Sequence, residues 1–298
     1  MSLRDMFQSK KPPFVSFELF PARDDAAVRR QNKAIDGLLA LRPDFMSVTF
    51  GAGGSTREGS YELVRKLLQV TADETEVVAY VAAYGLDPEV VRSVVRAYVD
   101  LGVETLFCIR GDEPQKNRDF RPHPDAFAHA SDLLAFVSTH FDVCTGAAGY
   151  PEGHKDAACL DDDLDAVKRK VDNGAEFIIS QYCYDNRFFF EFLNRCRQRG
   201  ITVPILAGIM PIYTLTMTEN LAQTCGASIT DELNAGLAGI DTSDNAAVAA
   251  FGVDFLVPKC RELVENGVDG LHFYTMNKSK SVAAILEAIG LHREQLSY

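Results

Sequence analysis

Glu18 is the single carboxylate inside the run Phe14-Val-Ser-Phe-Glu-Leu-Phe-Pro21. That run is apolar, β-branched and aromatic and ends at proline, so its pattern predicts a buried strand. A charge in such a run costs several kcal/mol unless it is paired, protonated or facing a cavity. A carboxyl held protonated near neutral pH by apolar surroundings can donate a proton, which makes Glu18 a candidate general acid. The competing reading is a glutamate at a solvated strand end, turned to a nearby arginine such as Arg23. A second group is Arg110-Gly-Asp112. Its arginine can bind a phosphate, its glycine permits close backbone approach, and its aspartate can accept from a heterocyclic N–H. Thr49, Tyr150, His154, Gln181, Asn277 and Lys278 complete the polar set. Taken singly, Thr49 reads as a strand end, Tyr150 as a rim aromatic and Gln181 as a core amide.

The elements that must position these residues repeat along the chain. Strand-like runs are Phe14–Phe20, Phe45–Phe50, Val77–Tyr84, Thr105–Gly111, Asp142–Tyr150, Phe177–Tyr184, Val203–Ile209 and Gly270–Met276. Helical spacing follows each of them, over about Asp25–Leu41, Arg57–Val70, Pro88–Leu101, Asp125–Thr139, Leu160–Asn173 and Phe188–Arg199. A longer helical region covers about Leu215–Asn266 with a break near Asp241–Asp244, and a last helix covers about Ser281–Ile289. Eight strands of parallel-sheet character, each followed by a helix, predict a single-domain α/β fold, a (β/α)8 TIM barrel, with residues 1–12 as a flexible N-terminal segment. An open doubly wound sheet is the runner-up, but no G-x-G-x-x-G opens a helix after the first strand. In a barrel the chemistry sits at the C-terminal strand ends, and the polar set above falls there.

Bulk properties narrow the function. The chain has 298 residues and a net charge of −12, which argues against nucleic acid or an anionic membrane as partner. No run approaches ~18 apolar residues, and the first eleven residues lack the apolar core of a signal peptide. The seven cysteines are scattered and never in a C-x-x-C pair, which predicts reduced thiols in a cytoplasmic protein and no metal site. There is no G-x-S-x-G elbow, no H-E-x-x-H and no P-loop. Gly51-Ala-Gly-Gly54 is either a phosphate loop or an ordinary turn. Lys168-Arg-Lys170 is either a solvated helix face or a source of one cation turned inward to a cofactor phosphate. His272 lies inside a strand and reads as a core histidine rather than a catalyst.

An ordered set of motifs carries a resemblance. Ser16-Phe-Glu-Leu-Phe-Pro21, Ser47-Val-Thr-Phe-Gly-Ala-Gly-Gly-Ser55, Ile109-Arg-Gly-Asp112 and Tyr150-Pro-Glu-Gly-His154 come first. Leu164-Asp-Ala-Val-Lys-Arg-Lys-Val-Asp-Asn-Gly-Ala175, Ile179-Ser-Gln181, Gly208-Ile-Met-Pro211 and His272-Phe-Tyr-Thr-Met-Asn277 follow. From about Phe14 to Ile289 the chain resembles the bacterial 5,10-methylenetetrahydrofolate reductases, flavin-dependent (β/α)8 enzymes. The resemblance implies FAD as cofactor, NADH or NADPH as electron donor, and reduction of methylenetetrahydrofolate to 5-methyltetrahydrofolate. It implies that Glu18 protonates N10 of the folate and that Asp112 lies between flavin and pterin. It implies FAD contacts at Thr49, Ile109, Arg110, Gly111, Asp112, Ala130, Tyr150, His154, Asp163 and Lys170. It implies a pterin contact at Gln181.

Departures from the family pattern mark the rest. Tyr80 stands where a histidine usually touches the flavin, and His129 where a tyrosine is common. Met217 replaces a glutamine, Leu221 an aromatic that packs on substrate and nicotinamide, and Lys278 an arginine that helps bind the folate. Lysine can attract the glutamate tail without the bidentate fork of arginine. The half-site shared by folate and nicotinamide is therefore altered, and some relatives take electrons from a partner subunit. The resemblance also leaves room for a homo-oligomer. Two further readings compete: a flavin-free folate-binding barrel serving a methyltransferase, and a subunit docked to a larger redox complex.

Overall fold

The computed structural model describes residues 2–50, 57–71, 75–113 and 119–291. Along the chain, α1 (Leu3–Ser9) and β1 (Phe14–Leu19) lead to α2 (Asp25–Leu39), β2 (Phe45–Val48), α3 (Arg57–Val70) and β3 (Glu76–Ala82). Next come α4 (Pro88–Leu101), β4 (Thr105–Ile109), α5 (Ala130–His140), β5 (Cys144–Gly149), α6 (Leu160–Asp172) and β6 (Phe177–Ser180). The chain continues through α7 (Asn186–Gln198), β7 (Ile205–Ile209), α8 (Leu215–Cys225), α9 (Asp231–Ala238), α10 (Asn245–Glu265), β8 (Gly270–Tyr274) and α11 (Lys280–Ala288). All neighbouring strands are parallel, and β8 pairs with β1, so the sheet closes into the eight-stranded barrel expected from the sequence.

Alternation along each strand sorts the residues into two cores. Val15, Phe17 and Leu19 of β1 face outward and pack under the helix ring, together with apolar residues such as Ile35, Leu38, Val64 and Leu67. Phe14, Phe45, Val78, Tyr80, Phe107, Phe177, Ile179 and Leu206 face inward and fill the lumen. The lumen is therefore a packed core, as barrels of this size require. Glu18 shares the inward phase of Phe14, which places its carboxyl on the lumen side near the C-terminal end of β1.

The N-terminal end of the lumen is closed by α1, and this corrects the expectation of a flexible segment. Leu3 and Met6 are fully buried against lumen residues. Phe7 meets Phe14 edge-on at 4.9 Å. Arg4 grips Glu176 through two hydrogen bonds of 2.6 and 2.9 Å, and donates another to Asp142 at 3.2 Å. Leu3 and Met6, at i and i+3, give the short capped helix one apolar face, and Phe7 and Arg4 add to its hold.

Helix boundaries follow local chemistry. The α4 helix starts with Asp87 as cap and Pro88 in its first turn, and ends at Gly102 in the left-handed region. The long helical region after β7 divides twice rather than once. Besides the break at Asp241–Asp244, Gly226 ends α8 with φ +75° and Thr230 caps α9 through the Leu233 N–H. The α5 helix starts later than the periodicity suggests, because residues 123–129 form a turn and His129 takes the cap position with extended backbone. The glycine-rich segment Gly51–Gly54 lies outside the described residues.

Candidate active site

The C-terminal end of the lumen holds Glu18. Its Oε2 accepts a hydrogen bond from the Tyr80 hydroxyl at 2.8 Å. No hydrogen bond or ion pair joins it to Arg23 among the described residues, so the solvated-end reading of Glu18 does not hold. Loss of water around the carboxyl pushes its pKa up to about 7, and the Tyr80 hydrogen bond opposes the shift only in part. Glu18 thus titrates near neutrality, the range in which a carboxyl can act as a general acid.

Tyr274 forms the opposite wall. It pairs with Glu18 in the β1–β8 register, and its hydroxyl donates to the Ser180 carbonyl at 2.9 Å. A Cβ at Gly208 would stand 2.8 Å from the Tyr274 ring and 2.2 Å from the Ser180 oxygen, so glycine is required there. Tyr274 was not singled out from the sequence, although its spacing of two from His272 marks it as inward-facing. His272 itself is fully buried, with Nδ1 2.8 Å from the Ser16 hydroxyl and its ring stacked on Phe45. Burial lowers its pKa to about 3, so it stays neutral as a core histidine.

The ends of β1 and β8 are tied together. Thr275 donates to the Glu18 carbonyl at 2.7 Å, and the Asn277 side chain both donates to the Phe20 carbonyl (2.8 Å) and accepts from its N–H (3.2 Å). Met276 and Asn277 sit in the left-handed region at φ +52° and +53°. Such backbone is strained for residues other than glycine, and these hydrogen bonds hold it. Beside this clamp lies a cavity of about 640 Å³, lined by Arg23, Arg30, Thr49, Met276, Asn277 and Lys278 among others. Thr49, expected with the cofactor contacts, lines this cavity together with Lys278, expected with the substrate. The Lys278 ammonium lies 4.1 Å from the centre of the Tyr213 ring.

A second cavity, of about 340 Å³, opens between the ends of β4 and β5 and the starts of α5 and α6. It gathers Ile109, Arg110, His129, Ala130, Tyr150, His154, Asp163 and Lys170, residues spread over 62 positions of sequence. Lys170 donates to the Ala148 carbonyl at 2.8 Å and lies 5.6 Å from the Tyr150 ring centre. Desolvation lowers its pKa to about 8, with nearby Asp163 opposing the shift. Asp163 is buried, and desolvation raises its pKa against the pull of Lys170 and His154. Desolvation also lowers the pKa of His154. Arg110 reaches across to Asp156 at 2.9 Å, a partner the sequence offered no signal for. Arg169 lines the same space. Three cations able to meet a diphosphate thus share one small cavity with Asp156, Asp162 and Asp163.

The remaining expected residues lie around the mouth. Gly111 has φ +82°, which strains any other residue, and a Cβ there would stand 3.0 Å from Ala82, a tight contact. Asp112 is exposed, and its charge helps to raise the pKa values of Tyr150 and Cys225 after desolvation has raised them. Gln181 accepts from the Tyr182 N–H at 3.0 Å. Met217 and Leu221 are half-buried, four residues apart on α8, in one stripe with Cys225. Cys225 senses the charges of Glu18 and Asp112, so this stripe borders the mouth. Tyr80 is not part of the second cavity; it belongs to the lumen beside Glu18. Among the described residues no cluster of three or more metal-ligating side chains occurs.

A sequence profile of the family described as methylenetetrahydrofolate reductase matches residues 2–290. The chain belongs to the methylenetetrahydrofolate reductase family. It is 33% identical over 287 residues to methylenetetrahydrofolate reductase (NADH) 1 of Arabidopsis thaliana, covering 93% of this chain and 48% of that protein. It is 29% identical over 277 residues to 5,10-methylenetetrahydrofolate reductase of Escherichia coli, covering 93% of this chain and 90% of that protein. The chain spans about half the length of the eukaryotic reductases it matches, 47 to 48%. A solved structure, an uncharacterised protein from Clostridium thermocellum that binds two copies of 5-methyl-5,6,7,8-tetrahydrofolic acid, shares the fold. Its TM-score is 0.64 at 14% identity, with 97% of both chains covered. Within the reductase family, then, this chain puts a desolvated carboxyl in the lumen and a desolvated lysine among mixed charges in the neighbouring cavity. Among the described residues no helix is long and apolar enough to cross a membrane.

Proposed function

We propose that this chain reduces 5,10-methylenetetrahydrofolate to 5-methyltetrahydrofolate, with FAD as cofactor and NADH or NADPH as electron donor. The observation that carries the reading is Glu18, a carboxyl in the lumen mouth of a reductase-family barrel, brought to titrate near pH 7 by desolvation.

FAD fits the residues present. Arg110, Arg169 and Lys170 line the cavity together with Asp156, Asp162 and Asp163, and Lys170 has been stripped of water, so an added anion would stabilise its charged form. In this reading those cations hold the diphosphate, and His129, Ala130, Tyr150, His154 and Asp163 line its remaining contacts. Gly111 and Asp112 lie at the edge toward the pterin. When bound, the flavin supplies hydride transfer. Glu18 supplies the proton. The bond between N10 and the bridging methylene breaks with its electron pair going to N10, which takes the Glu18 proton. The methylene left on N5 becomes an iminium carbon able to accept hydride. Asp112 offers a negative charge to that cation, and Gln181 a hydrogen-bonding amide to the pterin. Met217, Leu221 and Lys278 border the space for the rest of the substrate and for nicotinamide.

The Arabidopsis relative is named as an NADH enzyme, which supports a nicotinamide donor. The purified protein is expected to be yellow. Its flavin is expected to bleach with NADH or NADPH under anaerobic conditions and to recover on addition of methylenetetrahydrofolate. A flavin that bleaches only with dithionite, yet is reoxidised by the folate, points to electrons from a partner subunit. A colourless protein that binds folate without redox turnover overturns the reading in favour of a flavin-free folate-binding barrel.

A further inference from the structure

We propose that Tyr80 is the positioning residue of the general acid: its hydroxyl occupies Oε2 of Glu18, so that Oε1 is the oxygen that carries the proton. The proposal rests on the role of Glu18 just given and extends it to a residue outside the acid's own strand.

The geometry is direct. Tyr80 lies on β3, two strands away from Glu18, and its hydroxyl stands 2.8 Å from Oε2. The Tyr80 ring is buried, with 6% exposure, and packs on Phe107 at 4.5 Å, so the hydroxyl is held by a fixed ring. A phenol with its proton can donate here, and a carboxylic acid has one O–H and one free carbonyl oxygen. With Oε2 engaged as acceptor, the acid proton belongs on the other oxygen. Desolvation raises the Tyr80 pKa well above 10, and the neighbouring Glu18 charge adds to that, so the phenol keeps its proton across the working range.

The same bond sets acid strength. It favours the ionised carboxylate, which accepts it better, and so limits how far the dry site raises the Glu18 pKa. Among the described residues the titratable groups that sense Glu18 are Tyr80 from β3, Tyr274 from β8 and Cys225 from α8. Burial raises the pKa of all three, so none is charged near pH 7. Among the described residues no cation contributes to the shift of Glu18, and Tyr80 is the group that opposes desolvation at the acid.

The test uses the full chain as isolated. The Glu18 carboxyl is titrated by 13C NMR on protein labelled at glutamate δ-carbons, with its signal assigned by loss in Glu18→Gln. Tyr80→Phe keeps the ring and removes the donor, and is expected to raise the Glu18 pKa by about one unit. The alkaline limb of folate-dependent flavin reoxidation is expected to move by the same amount in the same direction. Site-specific 3-fluorotyrosine at position 80, a stronger donor, is expected to move both the other way. An unchanged carboxyl titration in Tyr80→Phe overturns the proposal, as does a shift that 3-fluorotyrosine fails to reverse. A parent protein that never reacts with the folate sinks the functional reading instead, while the carboxyl titration still judges the Tyr80 contact.

Discussion

The lumen mouth and the β4–β5 cavity lie on the same end of one barrel and use burial for opposite purposes. In the mouth, desolvation falls on an acid and raises Glu18 to about 7. In the cavity, it falls on a base and lowers Lys170 to about 8. Each group has been moved toward neutrality from the far side of the scale by the same physical cause. What differs is the partner. Glu18 has a neutral hydroxyl, which leaves its proton transferable. Lys170 has a backbone carbonyl and the buried Asp163, in a cavity lined by Arg110, Arg169, Asp156 and Asp162 as well. Dryness around an acid with a neutral partner makes a proton donor; dryness around an ammonium makes a cation that an added anion would stabilise.

The largest expected effect tests the mouth. Glu18→Gln keeps shape and polarity but removes the proton, and is expected to slow folate-dependent flavin reoxidation by roughly 10²- to 10⁴-fold. Flavin content measured by absorbance is expected to stay near the parent's. A variant that reoxidises as fast as the parent removes Glu18 from the chemistry and ends the contrast between the two regions.

The next effect tests the cavity. If Lys170 holds a diphosphate, the bound anion favours its protonated form, so binding takes up a proton above pH 8. Flavin affinity is then expected to fall as pH rises through about 8, by up to tenfold per unit. Lys170→Met is expected to weaken flavin binding by at least about tenfold at pH 7 and to flatten that slope. Fluorescence of released flavin, followed from pH 7 to 9.5, measures both. Equal slopes in parent and variant assign the pH dependence to another group.

These two regions were not equally legible in the sequence. Glu18 stood out because a carboxylate is anomalous in a strand of phenylalanines, and the eight strands followed from their own spacing. The cavity residues became meaningful only through family motifs, because Lys170 by itself is one of three basic residues on an amphipathic helix. The Tyr80 contact was unreadable for a geometric reason. The pairing register sets Glu18 level with Ser47, and Ser47 level with Val78. Strands in a closed barrel are tilted, so a plane across the lumen climbs along successive strands and meets β3 one inward-facing residue later, at Tyr80. Strand alternation gives the face a residue takes, but closure and tilt decide which faces meet. The α1 plug was missed for a related reason: Leu3 and Met6 look unremarkable until the barrel supplies an open end to cover.

A third prediction sharpens the contrast through stability. The folded-state pKa of Glu18 lies above its ordinary value, so the native state holds a proton that the unfolded chain has released between about 4.5 and 7. Stability from this group is present at low pH and lost as pH rises through about 7. Glu18→Gln never ionises and escapes the loss. Its advantage over the parent is expected to grow from pH 5 to pH 8 by about 2 kcal/mol, less than the whole shift implies because the side chain keeps some contact with water. Glu76 is also raised to about 7, by burial first, so parent curves alone mix two groups. The difference between parent and variant, read by thermal unfolding at each pH, isolates Glu18. A constant difference across this range contradicts a desolvated carboxyl.

The smallest effect concerns the rim, where Lys278 is exposed and burial lowers its pKa only in part. It lies over the Tyr213 ring beside the 640 Å³ cavity that also holds Arg23 and Arg30. An ammonium attracts a carboxylate tail without a fixed geometry, whereas a guanidinium can grip it with two parallel hydrogen bonds. Lys278→Arg is therefore expected to lower KM for the folate about two- to fivefold with kcat unchanged, since the tail is bound alike in ground and transition states. Lys278→Ala is expected to raise KM by a similar factor, an exposed charge pair being worth only ~1 kcal/mol. High salt is expected to shrink both differences, because exposed charges are screened. The Glu18 and Lys170 effects, set in drier surroundings, are expected to persist in the same buffer. A Lys278 variant whose change falls on kcat, or resists salt, places this residue in the chemistry of the mouth rather than at its rim.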